Sequence, residues 1–158
     1  MKEKNTWTNA VFIKTFNLSR EELFSAWTNA GKVAAWWGPY GFTNPVCKWN
    51  AKPGGDIYIE MTAPDGMIFP LKGYFHEVIF PEQLLFVTSA FEDDKGGVQV
   101  EVLASVILTK VDGKTKLTIE ATVMKSHPSV YCFLETMYEG WKQSLQKLEI
   151  FLQKTKTN

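Results

Sequence analysis

Toward the end of the chain, Val130, Leu134, Met137, Trp141, Leu145 and Leu148 recur at steps of three and four, and Leu152 follows. That spacing lines side chains along one face of an α-helix. A long helix with a single apolar stripe must bury it against something. The residues before it offer short alternating segments, the pattern of β-strands, so the chain has to lay its last helix on a sheet. Phe133, Met137, Tyr138 and Trp141 crowd the first half of the helix, while compact leucines dominate the second. Large rings at one end either fill a core or line a cavity, and periodicity alone leaves both open.

The rest of the chain divides at turn signals. Ala10 to Phe16 reads as a first strand. Ser19, with Glu22 three residues on, has the capping-box pattern that opens a helix, whose buried face is Leu23, Phe24 and Trp27. Thr28 and Asn29 can cap a second short helix carrying Val33, Ala34, Trp36 and Trp37, stopped by Gly38 and Pro39. From Phe42 onward, turns at Pro53-Gly54-Gly55, Pro64-Asp65-Gly66, Pro81-Glu82, Asp94-Lys95-Gly96-Gly97 and Asp112-Gly113 mark off six strand-like segments, the spacing of an antiparallel meander.

Alternation assigns faces, because side chains two apart share a side of a sheet. Ile57, Ile59 and Met61 oppose Tyr58, Glu60 and Thr62; Met67, Phe69, Leu71 and Phe75 oppose Lys72 and His76; Leu117, Ile119, Ala121 and Val123 oppose Lys116, Thr118, Glu120 and Thr122. One face is apolar and the other largely wet, as in an antiparallel sheet covered on one side. Segments 84–91 and 98–108 are apolar on both registers in places, and Gly73 inside a strand marks a bulge or a sharp bend. The Ser126-His127-Pro128 junction begins the final helix.

Charge and composition exclude several functions. Seventeen basic and seventeen acidic residues give no net charge, and no Lys or Arg run follows a phosphate backbone, so nucleic acid is not an expected partner. No apolar run reaches the length of a membrane span, and the first residues lack the apolar stretch of a signal peptide, so the expected location is the cytoplasm. Cys47 and Cys132 lack paired spacing and read as buried thiols in a reducing compartment. The two histidines, His76 and His127, are too few for a structural zinc site, so no metal or organic cofactor is expected. A Gly-x-Ser-x-Gly elbow, a phosphate-binding glycine loop and a dinucleotide fingerprint are all missing.

Specific residues meet this order of elements. Trp36-Trp37-Gly38-Pro39 with Gly41-Phe42-Thr43, then Pro53-Gly54-Gly55, Gly73, the segment Pro81 to Phe86, and Gly140-Trp141 through Leu152 together resemble the bacterial homologues of the activator of the 90-kilodalton heat-shock-protein ATPase. That family lies in the START-like, polyketide-cyclase-like (SRPBCC) superfamily. The resemblance implies an α+β, helix-grip fold in which a curved antiparallel sheet wraps around a long C-terminal helix, with two short helices after the first strand. It implies one START-like domain over residues 1–158, its core at about 8–152, and a cavity between helix and sheet. The eukaryotic co-chaperone of the family has a separate N-terminal domain that grips the chaperone and that this chain has no room for, so chaperone activation does not carry over directly.

With that architecture, the periodicities nominate Trp49, Met61, Phe69, Phe75, Phe86, Met137, Tyr138 and Trp141 as the cavity lining, and Trp37 as either a lid or a dock for the helical elbow. Glu77, on the Phe75 side by alternation, is a polar anchor or acid in the pocket, or else lies past a bulge and points to water. No catalytic residue is nominated. The leading expectation is a non-enzymatic module that binds a small apolar or aromatic molecule. The alternatives are a chaperone-interacting protein and a cyclase- or hydrolase-type enzyme using the same cavity; the last would need at least two ionisable groups converging there.

Overall fold

The computed structural model describes residues 9–92, 97–126 and 132–156. Strand β1 (Asn9–Phe16) leads into helices α1 (Arg20–Thr28) and α2 (Ala30–Trp36). Six strands follow: β2 (Thr43–Trp49), β3 (Asp56–Thr62), β4 (Ile68–Ile79), β5 (Gln83–Glu92), β6 (Val98–Val111) and β7 (Lys114–Ser126). The chain then forms the long helix α3 (Cys132–Lys156). His127, Pro128, Val130 and the turn residues Asp94, Lys95 and Gly96 lie outside the described residues, as do the side chains of Cys132, Phe133 and Leu134.

The strands form one seven-stranded antiparallel sheet in the order β1-β7-β6-β5-β4-β3-β2. Consecutive strands from β2 to β7 are neighbours, while β1 and β2 occupy opposite edges. The elbow of α1 and α2 therefore carries the chain from one edge to the other, with α1 against β6 and α2 against β2. Local chemistry builds that elbow. The Ser19 hydroxyl accepts from the Glu22 amide at 3.1 Å, and the Glu22 carboxylate accepts from the Ser19 amide at 3.0 Å, satisfying two N–H groups at the start of α1. The Asn29 side chain then accepts from the Lys32 amide at 3.0 Å to open α2.

The sheet is curved, and irregularities mark where its strands bend. Ladder register shifts between Thr43 and Val46, Phe75 and Glu77, and Glu101 and Val102, and such bulges increase local twist and bend the strand. Gly73 is a close approach and not a bulge: a Cβ there would overlap the Val87 carbonyl oxygen of the neighbouring strand. Gly55 is similar, since a Cβ would overlap the Asn50 carbonyl oxygen. The amides of Gly54 and Phe75 reach across to the carbonyls of Phe75 and Gly55 at 2.8 and 2.9 Å, clamping the β2–β3 turn to β4.

The core lies between the inner face of the sheet and the three helices. Ile57, Ile59, Leu117, Ile119 and Ala121 from the strands meet Leu23, Trp27, Val33 and Trp36 from the elbow and Trp141, Leu145, Leu148 and Leu152 from α3. Aromatic rings join these layers: Trp27 packs edge-on to Trp36 at 4.7 Å and stacks with Trp141 at 6.5 Å. At the outer side of α3, Lys14 of β1 pairs with Glu149 at 3.0 Å. Among the described residues no helix is long and apolar enough to cross a membrane.

Candidate ligand pocket

Residues 37–42 connect α2 to β2 and form one wall of a pocket of about 640 Å³. Gly38 and Gly41 take left-handed backbone angles of φ 96° and 83°, which fold the segment back on itself. Helix α3 holds it by three polar side chains. The Ser144 hydroxyl accepts from the Gly38 amide at 2.9 Å, and the Gln143 side chain accepts from the Tyr40 amide at 2.9 Å. Lys147 Nζ donates toward the carbonyl oxygens of Trp37, Gly38, Pro39 and Phe42 at 3.2–3.4 Å. Burial lowers the Lys147 pKa from its ordinary 10.5, because desolvation disfavours the charged form. Asn44 completes the anchoring from β2: its amide donates to Ala34 and Trp37 carbonyls at 3.0 and 2.9 Å, capping the end of α2.

The opposite walls come from α3 and the inner face of β3 to β6. Met137, Gly140, Trp141 and Ser144 share one face of α3 and border the pocket. Gly140 lies beside the loop, where a Cβ would meet Pro39 at 3.7 Å, an ordinary contact. Met61, Phe69 and Leu71 supply apolar side chains from β3 and β4, and Thr88, Ala90, Val100 and Val102 continue the wall on β5 and β6. Lys72 and Ser89 also border the pocket. They pair with each other across the ladder next to inward-facing Leu71 and Thr88, so the pleat sends their side chains to the outer face. Among the described residues, the side chains that face inward are therefore mainly apolar, their polar atoms being the hydroxyls of Thr88 and Ser144 and the indole N–H groups of Trp37 and Trp141.

Of the residues nominated from sequence, Trp37, Met61, Phe69, Met137 and Trp141 lie together around this space. Trp49, Phe75 and Phe86 do not border it. They pack edge-on or tilted against one another at 5.2–5.4 Å and form a solid floor behind Trp37, which lies 5.3 Å from Trp49. Trp49 is held there by its indole N–H, which donates to the Trp27 carbonyl at 2.7 Å. Alternation put these rings on the correct face of the sheet but cannot separate packed rings from pocket-lining ones.

Tyr138 points away from the pocket, with its ring 5.1 Å from Phe12 on β1, because one residue along a helix turns the side chain by about a hundred degrees. Glu77 is exposed. The register slips at His76, since Phe75 pairs with Phe86 and Glu77 with Leu85, so Glu77 leaves the face that Phe75 occupies. Trp37 is a buried wall of the pocket, touching Trp141 at 5.5 Å, and it also docks the elbow through Trp36 at 5.8 Å.

Sequence reasoning missed Phe42, Thr88, Val100, Val102, Gly140 and Ser144. A usable signal existed on α3, where Gly140 and Ser144 are small residues four apart on the same face as Met137 and Trp141. Elsewhere, Cys47 is half-buried, its thiol directed at the Ala30 carbonyl 3.7 Å away, and burial raises its pKa above the ordinary 9.0. Among the described residues no group of three or more His, Cys, Asp or Glu side chains is placed to hold a metal ion.

Residues 17–153 match the family model described as activator of Hsp90 ATPase homolog 1-like protein. The chain belongs to that family. Solved structures of bacterial proteins share the fold at low identity. One from Arthrobacter aurescens is similar with a TM-score of 0.80 at 20% identity, covering 97% of this chain and 90% of the other. A protein from Chromobacterium violaceum gives 0.77 at 21% identity over 90% and 95% of the two chains. A third, from Silicibacter pomeroyi and named for the same family, gives 0.75 at 23% identity over 91% and 96%. A comparison with curated proteins found no match. At these identities the likeness to solved structures speaks for the fold alone.

Proposed function

We propose that this family member is a non-enzymatic binding module that holds a small apolar or aromatic molecule between α3 and the sheet, which wraps around the helix to enclose it. The observation that carries this reading is the character of the pocket wall. About 640 Å³ is bordered by Trp37, Met61, Phe69, Met137 and Trp141, and that size and lining are typical of small-molecule sites. No two ionisable side chains converge there among the described residues, since Lys72 alternates to the outer face and Glu77 is exposed. General acid–base chemistry would need such groups within hydrogen-bond reach of a bound substrate, so binding is favoured over catalysis.

The test uses tryptophan emission and thermal unfolding with a panel of small aromatic and aliphatic compounds. Trp141 borders the pocket and Trp27 and Trp37 lie against it, so a bound ligand changes emission. It also stabilises the folded state by about 2.7 kcal/mol at a hundredfold excess over its dissociation constant. Trp141→Phe and Met137→Leu keep the fold and weaken the response. A panel with no saturable shift, combined with binding of a purified chaperone, refutes this reading in favour of the protein-interaction role that the family's name suggests.

A further inference from the structure

Resting on the binding reading above, the inner wall of the pocket carries more detail than its apolar character. Thr88 is only 7% exposed. It sits mid-strand on β5, paired with Gly73 on one side and Val102 on the other, and faces the pocket. Gly73 cannot bear a side chain without overlapping the Val87 carbonyl, so no side chain from β4 covers Thr88 at that position. Among the described residues no hydrogen bond is made to the Thr88 hydroxyl, and it is not one of the fully enclosed unpaired polar atoms, which are Trp27 Nε1 and Asn44 Oδ1, so it opens onto the pocket. A ligand that fills the pocket dries this hydroxyl, and leaving a dry hydroxyl unpaired is unfavourable.

The second inward hydroxyl, Ser144, accepts from the Gly38 amide and keeps its own proton for another acceptor. Both groups therefore offer a hydrogen bond into a space whose other described inward side chains are carbon and sulfur, save the indole N–H groups of Trp37 and Trp141. Neither is charged, and among the described residues no ionisable side chain faces the pocket to compensate a ligand's charge. A carboxylate or ammonium group would lose its hydration without gaining a partner.

We propose that the ligand is an uncharged, mainly apolar molecule bearing a carbonyl or hydroxyl oxygen, and that the Thr88 hydroxyl selects it by donating a hydrogen bond to that oxygen. The apolar body lies against Met61, Met137 and Trp141, and Ser144 supplies a second donor from α3. Fatty acids and other carboxylates of the same size are rejected by the uncompensated charge.

Three probes of matched skeleton separate these claims: butylbenzene, benzylacetone and phenylbutyrate, titrated calorimetrically into wild type and Thr88→Val. The ratio of benzylacetone to butylbenzene affinity cancels much of what the two probes share. It falls roughly tenfold in Thr88→Val, as loss of one hydrogen bond implies, while butylbenzene binds at least as tightly as to wild type, because valine leaves no hydroxyl to be buried unpaired. Thr88→Ser keeps the hydroxyl and the wild-type ratio, which separates loss of the donor from damage to the fold. Phenylbutyrate binds more weakly than benzylacetone in every variant. An affinity ratio unaltered by Thr88→Val, or phenylbutyrate binding most tightly, overturns the selection by Thr88 and leaves the apolar pocket standing. If butylbenzene and benzylacetone both fail to bind, the pocket reading itself falls and this inference with it.

Discussion

Lys147 is the residue whose removal tests most directly how the pocket wall is held. Its ammonium lies 3.2–3.4 Å from four carbonyl oxygens of the 37–42 segment, more acceptors than its three protons can serve at once. Lys147→Met keeps much of the aliphatic stem and removes the donors. Two effects oppose each other: the variant loses charge-assisted hydrogen bonds, but it is also relieved of the cost of a half-buried charge. The bonds are long, and some of the released carbonyls can turn to water. The expected net loss is about 1–2 kcal/mol, well short of three full charge-assisted bonds. For a chain of this size that lowers Tm by roughly 2–8 °C. Urea unfolding followed by tryptophan emission measures it at neutral pH, and the loosened wall also weakens ligand binding. A variant indistinguishable from wild type, within about 0.5 kcal/mol, would refute the role of Lys147 as the latch of this segment. The pH dependence supplies an independent check. Because burial lowers the Lys147 pKa from 10.5, the folded protein releases this proton before the unfolded chain does. Stability from this group therefore rises as pH climbs through the folded pKa toward 10.5. Lys147→Met lacks that rise, so the stability gap widens in favour of wild type over that window.

Leu148 is fully buried at the heart of the α3–sheet contact, and Leu148→Ala costs about 3–5 kcal/mol by lost transfer and cavity formation, read from the urea midpoint. Glu77→Gln, at an exposed carboxylate beyond the β4 register slip, changes stability by less than about 0.5 kcal/mol and leaves ligand affinity unaltered; a large affinity change would return Glu77 to the pocket. The raised pKa of Cys47 makes its thiolate scarce at neutral pH. Alkylation of the native protein at this site, followed by mass spectrometry of the peptides, is slower than in urea.

Much of this architecture is legible in the linear chain because its causes are local. The capping box at Ser19 and Glu22, the stop at Gly38-Pro39 and the strict alternation of Ile57, Ile59, Leu117 and Ile119 each depend on residues a few positions apart, and each recurs in the structure. The apolar stripe of α3 is local in the same sense: Trp141, Leu145, Leu148 and Leu152 are buried because helical geometry puts them on one side.

What tertiary structure decided lies where distant segments meet. Trp49, Phe75 and Phe86 became floor while Met61, Phe69 and Met137 border space, because rings from three strands interlock with Trp37 and no periodicity records which neighbours touch. A one-residue slip at His76 sent Glu77 outward, a choice made by pairing with β5 and not by the sequence of β4. Lys147 reads as one more surface lysine until the 37–42 carbonyls, more than a hundred residues earlier in the chain, gather around it. Thr88, in a segment whose alternation was ambiguous, acquired its uncovered hydroxyl only when Gly73 was drawn against the next strand. Short-range geometry determined the elements and their faces, while long-range pairing and close packing decided which side chains enclose the pocket.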